Sequence, residues 1–103
     1  MFITIYQANE PTFRVDENKK IYNINEYHKV YEREEETNGR SDRQILEDLF
    51  VEFNRDERPE DYKGHSLSVG DIVEFKTAKD FGKGSIKYIC DSFGWNKIEW
   101  EES

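Results

Sequence analysis

Cysteine occurs once in these 103 residues, at Cys90, so no disulfide can form within the chain. A domain this small without disulfides suits a reducing cytosol, and a cytoplasmic location is expected. Long apolar runs are missing: none approaches the roughly 20 residues that span a bilayer. The opening stretch Met1–Tyr6 has no basic region, so neither a signal peptide nor a membrane contact is expected. Histidine is scarce, with His28 and His65 in unrelated contexts. Zinc normally needs Cys and His ligands in close pairs, which one cysteine and two separated histidines do not offer. Nucleophilic catalysis needs a nucleophile beside a base and an orienting group, and no such set stands out. Cys90 itself falls on the inward face of an expected strand and reads as a structural thiol.

What the chain does have is charge and aromatic rings. Charged residues make up 37%, aromatics 15% and all hydrophobics 35%, with a net charge of −8. High charge with low hydrophobicity leans toward disorder, but large rings bury enough area to build a small core. The length suits one domain. Acidity argues against direct nucleic-acid binding, because phosphates demand Lys and Arg. The excess is spread along the chain: residues 1–58 hold 14 acids and 9 bases, residues 59–103 hold 9 and 6.

The clearest element is a helix over 41–54. Ser41 and Gln44 stand in the spacing of a capping box. Ile45, Leu46, Leu49, Phe50 and Phe53 then recur at helical intervals, with Gln44, Glu47, Asp48 and Glu52 on the remaining surface. Around this helix the pattern is β-rich. Phe2–Gln7 reads as an opening strand and Glu26–Arg33 as a second, with a helix as the alternative for the latter. Residues 34–40 form a polar loop. After Arg58-Pro59, residues 65–100 read as a meander. Ser68–Asp71 is a turn, Asp71–Lys76 a strand and Phe81–Gly84 a hairpin loop. Ile86, Tyr88 and Cys90 share one strand face, Ser92–Gly94 turns the chain, and Lys97–Trp100 closes the sheet.

The expected fold is therefore α+β: a mostly antiparallel sheet of four to five strands with one amphipathic helix. Phe50, Phe53, Val73, Phe75, Tyr88 and Ile98 are expected in the core. A small β-barrel with one helix is the alternative, since both faces of several strands are apolar, as at Ile72/Val73 and Ile89/Cys90.

Several stretches carry candidate chemistry. Glu34-Glu35-Glu36 lacks the spaced ligands and glycine of a calcium loop and reads as a solvated surface. Gly82–Ser85 is too short for a phosphate loop and lies between strands, not before a helix. Asp71, Asp91 and Ser92 sit beside glycine or serine, where turn chemistry is the better reading than acid–base catalysis. Trp95 and Trp100 could stack on bases. Glu99, Glu101 and Glu102 surround Trp100, which favours core packing or a protein contact.

Three blocks together resemble the YodL-like domain family. They are the run from Leu46 to Tyr62, the segment Gly64–Val73 with its "GHSLSVGDIV", and Tyr88–Trp95 with its "YICDSFGW". The resemblance covers roughly residues 45–100, and the strand before Tyr31 can be added. It implies one YodL-like domain over 1–103, with N-terminal strands and an acidic loop in 1–40, the 41–54 helix and the 65–100 meander. It also implies an accessory protein of a mobile genetic element or phage of Firmicutes. The family supplies no established activity, so no catalytic residue carries over. Its Gly64–Asp71 and Asp91–Gly94 motifs fall on turns, either as binding surfaces or as folding devices.

The leading functional expectation is a noncatalytic module that binds a protein partner, with no cofactor and no metal. The residues marked for that contact are Glu32, Glu34, Glu35, Glu36, Asp48, Glu52, Asp56, Trp95 and Trp100. A second expectation is mimicry of nucleic acid toward a host defence nuclease, with carboxylates standing where phosphates lie. Arg33, Arg40, Arg43, Arg55 and Arg58 interrupt those acidic clusters and count against it. An enzyme of unknown class is the least favoured, and the oligomeric state is open.

Overall fold

The computed structural model describes residues 1–10, 15–16, 18–55, 59–62, 64–76, 85–92 and 94–101. Among these described residues, six strands and one helix follow in chain order. They are β1 (Phe2–Ala8), β2 (Ile21–Tyr22), a 3-10 turn (Ile24–Glu26), β3 (Tyr27–Glu34), α1 (Asp42–Glu52), β4 (Ile72–Lys76), β5 (Ile86–Asp91) and β6 (Gly94–Trp100). The strands lie in the order β2-β6-β5-β4-β1-β3. All pairings are antiparallel except β2 on β6.

The α+β expectation holds, with six strands in place of four or five. The extra strand is β2, whose two residues are too few to show any period. Backbone bonds from Glu99 N to Lys20 O (2.8 Å) and from Glu101 N to Tyr22 O (2.7 Å) fix it along the end of β6. Lys97–Trp100 therefore does not close the sheet, because β6 begins at Gly94 and β2 lies outside it. The sheet curls into a half-barrel. It stays open, with β2 and β3 as its edges.

Alternation along the strands divides the hydrophobic residues between two faces. On one face Ile3, Ile5, Val73, Phe75, Cys90 and Trp95 pack against Ile45, Leu46, Leu49 and Phe53 of the helix and its cap. On the other, Tyr22, Ile72, Ile89 and Ile98 form a smaller cluster, joined by Tyr6, Tyr27 and Trp100. Strand β3 contributes two successive residues to the helix side, Val30 and Tyr31. This breaks strict alternation, and a bulge explains it. Ile5 pairs with Tyr31 while Tyr6 pairs with Lys29, which leaves Val30 as the extra residue.

The capping box at the start of α1 is complete. Ser41 Oγ accepts from Gln44 N at 3.3 Å, and Gln44 Oε1 accepts from Ser41 N at 2.9 Å. At the other end Asn54 Nδ2 donates to Phe50 O and Leu67 O, tying the last turn to the following loop. Ser41→Ala should lower stability by about 1 kcal/mol. Urea denaturation checks this, and an unchanged midpoint would show that the cap contributes nothing.

Five of the six expected core residues are at least partly buried, and Phe50 is not among them: it is 38% exposed. Ile45, Leu49, Phe53 and Leu46 span an arc of about 100° around the helix, and Phe50 falls about 40° beyond its edge. Tyr88 is half-buried, because its hydroxyl reaches out to Asp42 Oδ2 at 3.0 Å. Ile86 is also largely exposed, so the β5 face shared with Tyr88 and Cys90 is only partly covered. The expected hairpin loop Phe81–Gly84 lies outside the described residues.

Candidate partner-binding face

The residues marked from sequence go to three different places. Glu35, Asp48 and Glu52 gather where the end of β3 meets α1, and arginines run through them. Arg33 makes a two-pronged pair with Glu52, at 2.6 and 2.7 Å, and reaches Glu35 at 2.9 Å. Arg40 bonds Asp48 at 2.8 Å and Glu35 at 3.1 Å. The Arg33 bonds hold the Glu52 carboxyl below its ordinary range. Glu32 accepts from Thr4 Oγ1 at 2.9 Å and lies 3.9 Å from Lys29 Nζ. Glu34 and Glu36 have no ion pair among the described residues, and Asp56 lies outside them. Three of the six described carboxylates are thus committed to arginine, so the row is a mixed ion network and not an unbroken acidic band.

Trp95 and Trp100 point to opposite faces of the sheet, as two residues five apart in a strand must. Trp95 is buried under the helix. Trp100 lies on the other face, its ring 5.3 Å from Tyr6 and 5.7 Å from Tyr27 between centroids. Its indole Nε1 is buried without a hydrogen-bond partner among the described residues. The two indoles cannot form a common stacking platform.

The Gly64–Asp71 turn is organised from β1. Gln7, only 1% exposed, extends its amide into the loop. Its Oε1 accepts from His65 N at 3.1 Å, and its Nε2 faces His65 O (2.9 Å), Asp71 Oδ2 (3.1 Å) and Tyr62 Oη (3.2 Å). Asp71 Oδ2 also accepts from Ser68 N at 2.8 Å, closing the turn on itself. Gly64 passes so close that an added Cβ would lie 2.2 Å from Gln7 Oε1. Gly70 has φ +96°, the left-handed conformation such a turn needs. The backbone of Cys90 pairs with the last two residues of the turn, through Gly70 N to Cys90 O and Cys90 N to Asp71 O. Burial and then the Asp71, Asp91 and Glu47 charges push the Cys90 thiol up to about 12, which keeps it protonated. Asp91 accepts from Asn96 Nδ2 across its own hairpin. Asp71 and Asp91 are thus each bonded within their own turn or hairpin. His28 lies apart from this loop, with Nδ1 2.9 Å from Asn9 Oδ1.

Sequence reasoning missed a cavity of about 610 Å³ on the face away from the helix, beside Ile89 of β5. Tyr22, Tyr27 and Ile89 line it, and the exposed Glu10, Asp16, Glu26 and Lys19 surround it. Lys19 Nζ sits 4.5 Å from the centroid of the Tyr22 ring. Burial and neighbouring Tyr22 and Glu26 push the Tyr27 phenol up to about 12, and burial beside Asp16 raises Tyr22 as well, so both rings stay neutral. Beside the cavity Ile21 and Ile24 are 61% and 41% exposed. The recurrence of Ile21, Tyr22, Ile24 and Tyr27 was visible in sequence, but its partner, Ile89, is more than sixty residues away.

A family model described as YodL-like domain matches residues 3–100. The chain belongs to the YodL-like domain family. The match extends the sequence resemblance to β1 and β3, so Gln7 and the loop that it anchors fall within one family unit. No curated protein and no solved structure matches the chain. No helix among the described residues of this YodL-like domain is long and apolar enough to cross a membrane. Nor do three His, Cys, Asp or Glu side chains come together among them as metal ligands would.

Proposed function

We propose that this YodL-like domain is a noncatalytic module that binds a protein partner in the cytoplasm, as an accessory of a mobile genetic element or phage. The observation that carries this reading is the exposure of Ile21 on the edge strand β2 and of Ile24 in the 3-10 turn after it, next in chain to Tyr22 and Asn25 of an open, aromatic-lined cavity. Isolated exposed apolar residues are ordinary. Here two occur within four residues of chain, each adjacent to a residue that lines the cavity, so one partner surface can reach both the apolar side chains and the concave site. The mobile-element context rests on the family resemblance, and the reducing compartment on the single buried cysteine. Nucleic-acid mimicry is the weaker reading, because Arg33 and Arg40 neutralise the acidic row from within.

Ile21→Ser/Ile24→Ser preserves the charge and removes only the apolar contact. Wild-type protein should recover a stable protein from host lysate, and the double variant should lose at least about ten-fold of it, the loss of one to two buried aliphatic side chains. Equal recovery by both proteins would move the interface elsewhere. A purified protein that recovers nothing and turns over a substrate would overturn the reading entirely.

A further inference from the structure

We propose that the cavity beside β2 is a socket for a basic side chain, a lysine or arginine presented by the protein partner. This deepens the protein-binding reading and rests on it. The argument starts from the composition of the walls. The inner part of the lining is aromatic and aliphatic, from the buried Tyr22 and Ile89 and the half-buried Tyr27. Among the described residues, the exposed part carries three carboxylates, Glu10, Asp16 and Glu26, against one ammonium, Lys19. A lysine or arginine has the matching order of parts: a long aliphatic stem that gains from apolar contact, and a charged end that seeks π-faces and carboxylates.

The protein already tests this chemistry on itself. Lys19 places its ammonium over the Tyr22 ring at 4.5 Å, within the range of a cation–π contact. Lys19 is exposed and makes no ion pair among the described residues, and the Tyr22 ring is the described contact of its ammonium. In the free domain it acts as an internal occupant that an incoming basic side chain replaces. A net charge of −8 also favours approach of a basic surface. An acidic or purely apolar side chain fits worse, since the first meets three carboxylates and the second leaves them without a counter-charge.

The test uses the whole domain and a defined probe, acetyl-Gly-Lys-Gly-amide, followed by amide chemical shifts. Saturable changes confined to residues such as Ala8, Asn9, Tyr22, Asn25 and Ile89 are expected. The arginine form should behave alike, and the Nε-acetylated lysine form should not bind. Glu10→Gln/Glu26→Gln should weaken the probe about five-fold, while Glu47→Gln/Glu60→Gln, with the same net charge, should leave it unchanged. Tyr22→Leu should abolish the localised shifts, with folding checked by the Trp95 signals. Lys19→Ala should tighten binding two- to three-fold, because the internal competitor is gone.

Shifts spread evenly over the acidic surface, or equal loss in the two charge-matched pairs, would mean general electrostatics and overturn the socket. So would acetylated lysine binding as well as lysine, or spermidine filling the cavity when neither peptide does. If the socket fails while Ile21→Ser/Ile24→Ser still abolishes partner recovery, the domain binds a protein by its apolar edge alone.

Discussion

Replacing Gln7 with leucine should cost about 3 kcal/mol of stability, although the new side chain is equally large and more apolar. Leucine fills the space but leaves Asp71 without one of its two described donors, His65 N without its acceptor, and His65 O without one of its two. A buried polar group stripped of its partner costs 1–3 kcal/mol, and more when it is charged. Asp71 is 3% exposed, so water cannot replace the lost bond. For a domain of this size that loss should lower the melting temperature by roughly 10 °C or more. It should also be local in character: the His65 amide should lose hydrogen-exchange protection before the amides of Ile45 to Leu49 do. Gln7→Glu should be comparably harmful at neutral pH, because it sets a second carboxylate against Asp71. A loss under about 1 kcal/mol for Gln7→Leu, with His65 still protected, would show that the loop holds itself without β1.

Gln7 also shows why part of this molecule was hidden in its sequence. Helix α1 is encoded within a dozen consecutive residues, cap and apolar arc together, and Ser41 and Gln44 behave as their spacing requires. Strand β3 was legible for the same reason. Its bulge was not, since Val30 and Tyr31 face the same core only because β1 slips by one residue beside them. A glutamine ending an otherwise alternating strand has no local signature, and its partners lie 55 to 64 residues away. The cavity has the same origin: Tyr22 and Tyr27 acquire meaning only when β5 brings Ile89 beneath them. In the acidic region, by contrast, the interleaved arginines could be read directly, and Arg33 and Arg40 do cross the row. Local order was readable, and long-range polar pairing was not.

The turn that Gln7 anchors should also give the domain a pH dependence of unusual sign. Burial raises the Asp71 carboxyl from 3.8 to about 6, against the opposing effect of bonds from Ser68 N and Gln7 Nε2 and of nearby His65. A carboxyl whose pKa is raised by folding binds its proton more tightly in the folded state. Its contribution to stability is therefore complete below about pH 4 and is lost as pH rises through about 6. That displacement corresponds to ~3 kcal/mol between the two limits. Glu52 works in the opposite direction: its lowered pKa contributes stability above its ordinary value of 4.5, which is lost on acidification. The two can be separated with Asp71→Asn. Asparagine keeps an oxygen for Ser68 N and Gln7 Nε2 but does not titrate. The variant should exceed wild type in stability by up to about 3 kcal/mol at pH 8, and this margin should shrink steadily toward pH 4. Glu52 and the relief of general repulsion occur in both proteins and largely cancel in the difference. Urea denaturation of the pair at pH 8, 6 and 4 measures it. A difference that stays constant over that range would mean that Asp71 titrates like an exposed aspartate and that its burial carries no charge penalty.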